Sequence, residues 1–296
     1  MLIKRIIKKL VIPKGYVVQK IDTRTNTHLT LQNWDYQKKV VLPVLPKEGI
    51  ILDIGSGHNP VPVANILADF FPEDTYHRAT KLVEDRPVLV CSVDRIPVLS
   101  KKIDFVICSH IFEHVNSPVR SGEELGRVAK AGYIETPAYG KDILVGTGNM
   151  HEWQAIEFEG TMHFFEYSKR QREGHVPSPM MDIWCSKQYN PWQDFFWDRM
   201  DLFNAMHLWK DKPSIIEHRR NASFPNAVTP WKPIDKDLLS KMPCALTEKE
   251  IGLLNSILAT PDGKEPMHFD QDRFVNADGS IIYPVRGKRI YFEMSQ

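Results

Sequence analysis

The sequence predicts an α/β protein in which helices cover both faces of a mostly parallel β-sheet. Between residues 50 and 137, short continuous apolar runs alternate with small, polar or acidic residues, and one helical segment separates the last two runs. Continuous apolar runs of this length are typical of strands buried on both faces, as in a parallel sheet. The chain has 296 residues and 42% hydrophobic content, which is ample for a large core.

Five apolar runs are predicted as strands: Ile50–Ile54, Ala64–Ala68, Val88–Val93, Ile103–Cys108 and Gly132–Glu135. Ser117–Lys130 is predicted as a crossover helix, because Leu125 and Val128 alternate with charged residues and Pro118 lies near its start. A strand, a helix and a strand in one sheet imply a right-handed crossover. Pro60 and Pro62 leave room for no more than a short helical turn between the first two strands.

The flanking regions differ from this central part. Residues 1–47 are predicted as an N-terminal extension that begins with a basic amphipathic helix. This helix either contacts an anionic membrane surface weakly or packs on the domain, and packing is favoured. Residues 48–168 are predicted as the ligand-binding domain, and residues 169–296 as an aromatic-rich C-terminal region that completes this domain or caps the substrate site. Leu238–Leu258 is predicted to contain a helix with a capping box of Thr247 and Glu250.

Composition disfavours several classes of protein. The chain has 38 basic and 37 acidic residues, so it lacks the global basic excess of a dedicated nucleic-acid binder. Cys91, Cys108, Cys185 and Cys244 form no CxxC pair, which argues against a zinc site and favours reduced thiols in the cytoplasm. No segment approaches the roughly 20 apolar residues of a membrane span.

A glycine loop follows the first predicted strand. Residues 51–57 read ILDIGSG, and in an open α/β sheet such a loop lies at the carboxyl end of the strand, where ligands bind. Binding of a dinucleotide requires a third glycine, and Pro60 stands at that position. A nicotinamide-dependent oxidoreductase is therefore disfavoured. Asp53 lies two residues before the first glycine and gives the pattern D-x-G-x-G.

Four further motifs follow this loop in order: CSVDRIP at 91–97, IDFVICSH at 103–110, IFEHV at 111–115 and ELGRVAK at 124–130. The succession resembles the type 11 family of class I S-adenosylmethionine-dependent methyltransferases over about residues 50–137. The resemblance implies a Rossmann-like sheet and S-adenosylmethionine as cofactor. We expect methyl transfer to a small-molecule or carbohydrate-like acceptor, at oxygen. No Asp/Asn-Pro-Pro-aromatic motif follows the fourth strand, which disfavours nucleic-acid bases as acceptors.

The resemblance also implies roles for residues at the first two strands. Gly55, Ser56 and Gly57 are expected to wrap the methionine part of the cofactor. Asp53 is expected to orient this loop. Asp69, the acid that closes the second strand, is expected to hold the ribose hydroxyls, because a carboxylate can accept two such hydrogen bonds.

The next two strands are expected to supply the remaining contacts. Ser92 and Val93 occupy the adenine-contact positions, and Asp94 substitutes for the acid that the family often has there. Ser109 and His110 close the fourth strand and are expected to face the reacting methyl group. His110 is a candidate base, because the pKa of a histidine suits proton removal from a hydroxyl. Alternatively, it only hydrogen-bonds a backbone group or shapes the pocket.

Two questions stay open in the sequence. His151, Glu152, His163 and Glu166 match no standard metal motif, so no metal is predicted. Their surroundings are predicted to line the acceptor pocket or to form a hydrophobic lid or core, and the lid or core is favoured. The double glycine that usually precedes the fifth strand is reduced to Gly132. A second hypothesis is therefore a regulatory protein that binds the cofactor without turnover. The oligomeric state is not predicted.

Overall fold

The computed structural model describes residues 39–73, 78, 80–146, 150–174, 176, 178–220 and 242–292. The predicted basic helix at the start of the chain lies outside these residues. The strands of the described part are β1 (Ile51–Ile54), β2 (Ile66–Asp69), β3 (Val88–Val90), β4 (Ile103–Ser109), β5 (Ala129–Pro137), β6 (Trp153–Phe158), β7 (Thr161–Glu166), β8 (Asn204–Lys210), β9 (Ile215–His218), β10 (His268–Asp270), β11 (Arg273–Val275), β12 (Ile282–Arg286) and β13 (Arg289–Tyr291).

Seven α-helices accompany these strands in the described part of the chain. They are α1 (Pro118–Val128), α2 (Tyr139–Val145), α3 (Lys169–Gly174), α4 (Pro179–Cys185), α5 (Pro191–Asp198), α6 (Met200–Phe203) and α7 (Glu248–Ile257). Residues 39–41 are also helical and lead into a 3-10 turn at Leu42–Val44. None of the described helices is both long enough and apolar enough to cross a bilayer.

Ten of the strands form one sheet in the order β10-β11-β12-β13-β3-β2-β1-β4-β5-β8. The six strands from β13 to β5 pair in parallel. β8 is antiparallel to β5, and β10, β11 and β12 are antiparallel additions beyond β13. The fold is therefore α/β with a mostly parallel sheet. β6, β7 and β9 form a separate three-stranded sheet.

Each face of the sheet has its own apolar core. On the first face, Leu52 of β1 shares a buried cluster with Leu125 of α1 and Leu254 of α7. On the second face, Phe105 of β4 packs in a cluster that includes Val41 and Val61. This second cluster is covered by residues 40–45 and by the β1–β2 connection. Residues 55–65, all of which the structure describes, contain no helix. Hydrogen-bonded turns, such as the one closed by the Ala64 N–H and the Val61 carbonyl, stand in place of the predicted short helical turn.

Strand and helix boundaries depart from the prediction at three places. β3 ends at Val90, so Ser92 and Val93 lie beyond it, in a turn closed by a bridge between Ser92 and Arg95. β2 begins at Ile66 and includes Asp69 as its last residue. The crossover helix starts after Ser117, whose side chain accepts a hydrogen bond from the Arg120 N–H. It ends at Val128, and β5 begins with the next residue instead of at Gly132.

The region after residue 169 adds strands at both edges of the sheet: β8 pairs with β5 at one edge, and β13 pairs with β3 at the other. The sequence predicted neither strand. α7 has the predicted capping box, in which the side chain of Thr247 accepts from the N–H of Glu250 and that of Glu250 accepts from the N–H of Thr247. It begins at Glu248, and the part of the predicted helix before residue 242 lies outside the described residues.

Candidate functional site

The glycine loop follows β1, at the point where the order of the strands in the sheet reverses. β1 pairs with β2 on one side and with β4 on the other, so Ile54 is level with both Ala68 and Cys108. The next residues of the three strands, Gly55, Asp69 and Ser109, therefore lie in one row at their carboxyl ends. This is the switch point at which open α/β sheets bind ligands. The structure thus brings together the predicted residues of β1, β2 and β4.

The loop is tightly turned and tied to β2. Gly55 and Gly57 have φ angles of +73° and +52°, a left-handed backbone that favours glycine. The N–H groups of Gly55 and Ser56 both donate to the carbonyl of Ala68, at 2.8 and 3.1 Å. The Ser56 hydroxyl is buried and has no hydrogen-bond partner among the described residues. A Cβ at Gly55 would lie 2.2 Å from Cδ1 of Ile111, and the positive φ angle would strain any other residue at this position.

Asp53 holds the loop from the second face of the sheet. Its Oδ2 accepts a hydrogen bond of 2.7 Å from the Val61 N–H, across the turn that the glycines form. Burial raises the pKa of Asp53 from 3.8 to about 7, although the Val61 hydrogen bond and the charge of Arg86 oppose this shift. The side chain is only 4% exposed and lies beneath the loop. Asp53 therefore bonds to the backbone on the far side of the loop.

Asp69 is also tied to the loop. Its Oδ2 accepts from the Gly57 N–H at 3.1 Å, and its Oδ1 accepts from the Phe71 N–H at 2.9 Å. The guanidinium of Arg78 lies 3.4 Å from Oδ1, and both side chains are nearly buried. Arg78 also donates to the carbonyl of Pro72. A ribose at Asp69 would share this carboxylate with the loop and with Arg78.

The residues after β3 are all largely buried, with Ser92 8%, Val93 6% and Asp94 9% exposed. Val93 is buried in the core of the first face. Asp94 lines a groove of about 590 Å³, together with Ser117, Glu124 and Glu217. This groove extends along α1, away from the glycine loop. Of the predicted adenine contacts, Asp94 therefore borders the open groove, whereas the Val93 side chain faces the core.

The ELGRVAK motif fixes the turn that carries these residues. Glu124 of α1 accepts a hydrogen bond from the Ile96 N–H at 2.7 Å. Arg127, which pairs with Glu124, donates to the carbonyls of Ile96 and Val98, each at 2.7 Å. These bonds satisfy the polar backbone of the β3–β4 connection and hold it against α1. The motif therefore has a structural role here.

His110 follows β4 with a strained backbone and an enclosed ring. Its φ angle is +59°, and its N–H donates to the carbonyl of Glu135 at 2.8 Å. Nδ1 lies 3.5 Å from Glu113 and Nε2 lies 3.5 Å from Glu135, while 31% of the side chain stays exposed. Burial and the charge of Lys141 lower the pKa of His110, but its hydrogen bonds to the two carboxylates prevail and raise it.

A group of polar side chains, most of them buried, lies around His110 at the ends of β4 and β5. We name it the strand-end cluster, and it comprises His110, Glu113, His114, Glu135, Lys141, Asp142 and His151. Asn204 joins two of its members, since its side chain accepts from the Lys141 ammonium and donates to Glu135. Sequence reasoning missed Glu135, Lys141 and Asp142. The available signal was a glutamate that interrupts the apolar run YIETP, because an acid there must be buried with partners.

Electrostatic interactions favour the ionised forms of Glu113 and Glu135. Burial alone would raise the pKa of Glu113, but hydrogen bonding to His110 and the nearby histidines lower it to about 2. Glu135 behaves alike: burial opposes ionisation, and hydrogen bonds from His110 and Tyr133 lower its pKa. Burial also lowers the pKa of Lys141, against the attraction of the neighbouring carboxylates. The cluster therefore contains paired charges in a water-poor setting.

The four residues considered for metal binding are separated in the structure. His151 is buried against Asp142, whereas Glu152 pairs with Arg172. His163 lies on the exposed side of β7, with Nδ1 3.1 Å from Nε2 of His218. Glu166 accepts from the Arg220 N–H. These four side chains therefore do not form a common site. Apolar residues of the same segments, Trp153, Met162 and Phe164, belong to the core of the first face.

Comparison with known proteins finds one family and distant structures. A family model described as a methyltransferase domain, of type 11, matches residues 52–134. A solved S-adenosylmethionine-dependent methyltransferase from Thermotoga maritima, described as a possible histamine N-methyltransferase, is 21% identical, and the match covers 39% of this chain and 55% of that chain with a TM-score of 0.27. No curated protein sequence matches the chain.

Two further solved structures also match with low sequence identity and a low TM-score. The plantazolicin methyltransferase BpumL, in complex with a desmethyl analogue and S-adenosylhomocysteine, is 21% identical over 37% of this chain and 44% of that chain, with a TM-score of 0.27. A complex of the Haloferax volcanii Trm112 methyltransferase activator with a methyltransferase gives 13% identity, 65% and 94% coverage and a TM-score of 0.35. The chain spans about half the length of the solved structures that it matches first.

Proposed function

We propose that residues 52–134, which match a family model described as a methyltransferase domain, bind S-adenosylmethionine, and that the protein methylates a small-molecule or carbohydrate-like acceptor at oxygen. The observation that supports the site is the row of Gly55, Asp69 and Ser109 at the switch point. The buried Ser56 hydroxyl, without a partner among the described residues, suits a polar ligand in this loop. S-adenosylmethionine supplies the activated methyl group.

Each part of the row has a proposed task in holding the cofactor. The loop from Gly55 to Gly57 would enclose the methionine part, because its backbone can be approached closely where no Cβ is present. Asp69 would accept hydrogen bonds from the ribose, and Asp94 would contact the adenine from the groove side. Asp53 acts indirectly by fixing the loop through the Val61 N–H.

His110 is proposed as the residue that receives the acceptor proton. It follows Ser109 at the end of β4, and its ring lies between Glu113 and Glu135. To receive the proton, His110 must first be in its neutral form, which these two carboxylates disfavour because they raise its pKa. General-base catalysis contributes typically about 10²–10⁴-fold to a rate. We expect His110→Asn to lower kcat by about 100-fold or more while leaving the affinity for S-adenosylhomocysteine unchanged. A variant that retains full turnover would exclude His110 as the base and leave it a role in shaping the pocket.

Calorimetric titration tests cofactor binding directly. We expect S-adenosylhomocysteine to bind and NAD not to bind. Gly55→Val should abolish binding, because the new Cβ would overlap Ile111 at 2.2 Å. Gly252→Ala is the matched control, since a Cβ there has no described neighbour within 4 Å and lies in α7. If Gly55→Val binds S-adenosylhomocysteine as tightly as the control, the cofactor site lies elsewhere.

Turnover distinguishes the enzyme from a regulatory protein that only binds the cofactor. The test is release of S-adenosylhomocysteine from S-adenosylmethionine in the presence of hydroxyl-bearing acceptors. Binding without turnover of any acceptor would favour the regulatory protein. The chain has almost equal numbers of acidic and basic residues, and we therefore propose no nucleic-acid partner. Cys91, Cys108 and Cys244 are free in the described part, and we propose the cytoplasm as the compartment.

A further inference from the structure

Three members of the strand-end cluster converge on one point. One ligand atom each from Glu113, His114 and His151 lies within 4.8 Å of the other two. Nε2 of His114 is 3.8 Å from Oε1 of Glu113. The rings of His114 and His151 are edge to face, with centroids 4.9 Å apart. These three residues come from the β4–α1 connection and from the segment before β6, so the fold and not a local motif brings them together.

Each of the three side chains is oriented by a partner behind it. Nδ1 of His151 lies 2.9 Å from Oδ2 of Asp142, and Nδ1 of His114 lies 3.1 Å from the carbonyl of Met150. A neutral histidine that donates through Nδ1 carries its lone pair on Nε2. Glu113 accepts from the Thr136 hydroxyl through Oε2, while its Oε1 is the oxygen near His114. Histidines that ligate metals almost always have such a carboxylate or carbonyl acceptor on their other nitrogen.

The charge of the cluster also suits a divalent cation. Glu113, Glu135 and Asp142 are buried carboxylates, and Lys141 is the buried ammonium group among them. Three carboxylates therefore face one ammonium group, and buried acidic groups are costly unless they are paired. A divalent ion at the convergence point would give Glu113 a further cationic partner.

The distances require only a small adjustment. Zn²⁺ binds histidine nitrogen and carboxylate oxygen at about 2.0–2.2 Å, so neighbouring ligand atoms around it lie roughly 3.3–3.5 Å apart. The present separations, up to 4.8 Å, must shorten by as much as about 1.4 Å. The His114 side chain is 40% exposed and can supply this movement by rotating.

We propose that Glu113, His114 and His151 form a binding site for one divalent metal ion, with Zn²⁺ favoured by the two imidazoles and one carboxylate. Three protein ligands leave a coordination position for an outside oxygen atom. This position would bind the acceptor oxygen beside His110, which makes the acceptor a hydroxyl-bearing molecule. The part concerning the acceptor rests on the proposed function, whereas the metal site itself does not.

Titration of the chelator-treated, full-length protein with Zn²⁺ tests the proposal. We expect one ion to bind per chain. His114→Gln should weaken binding at least tenfold, and Asp142→Asn should weaken it by about 10–100-fold through the orientation of His151. His114 is the main variant because its exposed ring is not part of the core. Thermal unfolding of each variant checks that it is folded.

His163→Gln is the matched control. His163 and His218 form an exposed pair that could capture Zn²⁺ by themselves, with ring nitrogens 3.1 Å apart. Unchanged affinity in His163→Gln, with a loss in His114→Gln, supports the proposed site. Failure of the wild type to bind Zn²⁺, equal affinity in His114→Gln, or a loss in His163→Gln overturns it. The visible absorption of bound Co²⁺ should also change when His114→Gln removes a nitrogen ligand.

The metal site and the proposed function fail in different ways. Binding of S-adenosylhomocysteine is measured on the metal-free protein, and binding of Zn²⁺ is measured without the nucleoside. Zn²⁺ binding without S-adenosylhomocysteine binding would refute the proposed function and leave the metal site. The reverse result would refute the metal site and leave the cofactor site. If both bind, acceptor turnover that depends on Zn²⁺ supports coordination of the acceptor, and turnover that does not depend on it refutes that step.

Discussion

Asp53→Asn should remove a pH dependence of stability that the buried carboxylate imposes. Burial raises the pKa of Asp53 from 3.8 to about 7 in the folded chain. At pH values between 3.8 and about 7, the folded state therefore keeps the proton on Asp53, whereas the unfolded state has lost it. Its contribution to stability is fully present below about pH 4 and is lost as the pH rises through 7. The amide of the variant does not titrate and can still accept from the Val61 N–H.

The size of the effect follows from the shift. A difference of about three pKa units corresponds to about 4 kcal/mol, at 1.36 kcal/mol per unit. The free energy of unfolding of the wild type, relative to that of Asp53→Asn, should therefore fall by about 4 kcal/mol at most between pH 4 and pH 8. Urea unfolding at several pH values gives this difference. The histidines ionise alike in both proteins, so their effect cancels in the difference between the two free energies of unfolding.

Asp104→Asn provides the contrasting control. Burial opposes the shift, but hydrogen bonds from the Lys130 ammonium and the Ile50 N–H lower the pKa of Asp104. Its contribution to stability is present above the unfolded value of 3.8 and is lost only as the pH falls through the lower folded value. The difference between wild type and Asp104→Asn should therefore be flat from pH 5 to pH 8. A similarly flat difference for Asp53→Asn would mean that water reaches this carboxylate and that it does not lie sealed beneath the loop.

Two other substitutions test the packing of the sheet and a helix cap. Gly132→Ala would place a Cβ 2.5 Å from Cγ1 of Val106 and 2.6 Å from Cζ2 of Trp209, so we expect a loss of about 1–3 kcal/mol or more in urea unfolding. A variant as stable as the wild type would show that β4, β5 and β8 are not packed as described. Thr247→Ala removes the cap of α7 and should cost about 1 kcal/mol, whereas Thr247→Ser should keep most of it. Equal losses in both would exclude the cap as the cause.

The sequence predicted the parts of the fold that depend on local patterns. β1, β4 and α1 follow from apolar runs and from a helical period, and the row of Gly55, Asp69 and Ser109 follows from parallel pairing. The absence of a helix between β1 and β2 agrees with the prolines there, and the loop is instead held by Asp53. The strands, the helix and the loop depend on neighbouring residues, and the row adds only the general rule that the carboxyl ends of parallel strands meet at one edge of the sheet.

The parts that were missed depend on distant pairing or on burial of charge. β10 and β11 have three residues each, and β12 contains Pro284, so none has a strong strand pattern. Their place in the sheet is decided by contact with β13. Lys141 and Asp142 resemble surface residues in sequence, because charged side chains are almost never fully buried unless paired. Their partners lie on other elements, and no spacing in the chain indicates this.

The pairing of β13 with β3 has a consequence for synthesis of the chain. Arg289 lies opposite Val88, about 200 residues earlier, so one edge of β3 has no partner from β13 until the ribosome has made that length. At about 5–20 residues per second, this interval is roughly 10–40 seconds. An open, apolar strand edge is a template for pairing with another chain. Nascent chains of this protein therefore have a long period in which chaperones must protect the edge of β3 from aggregation.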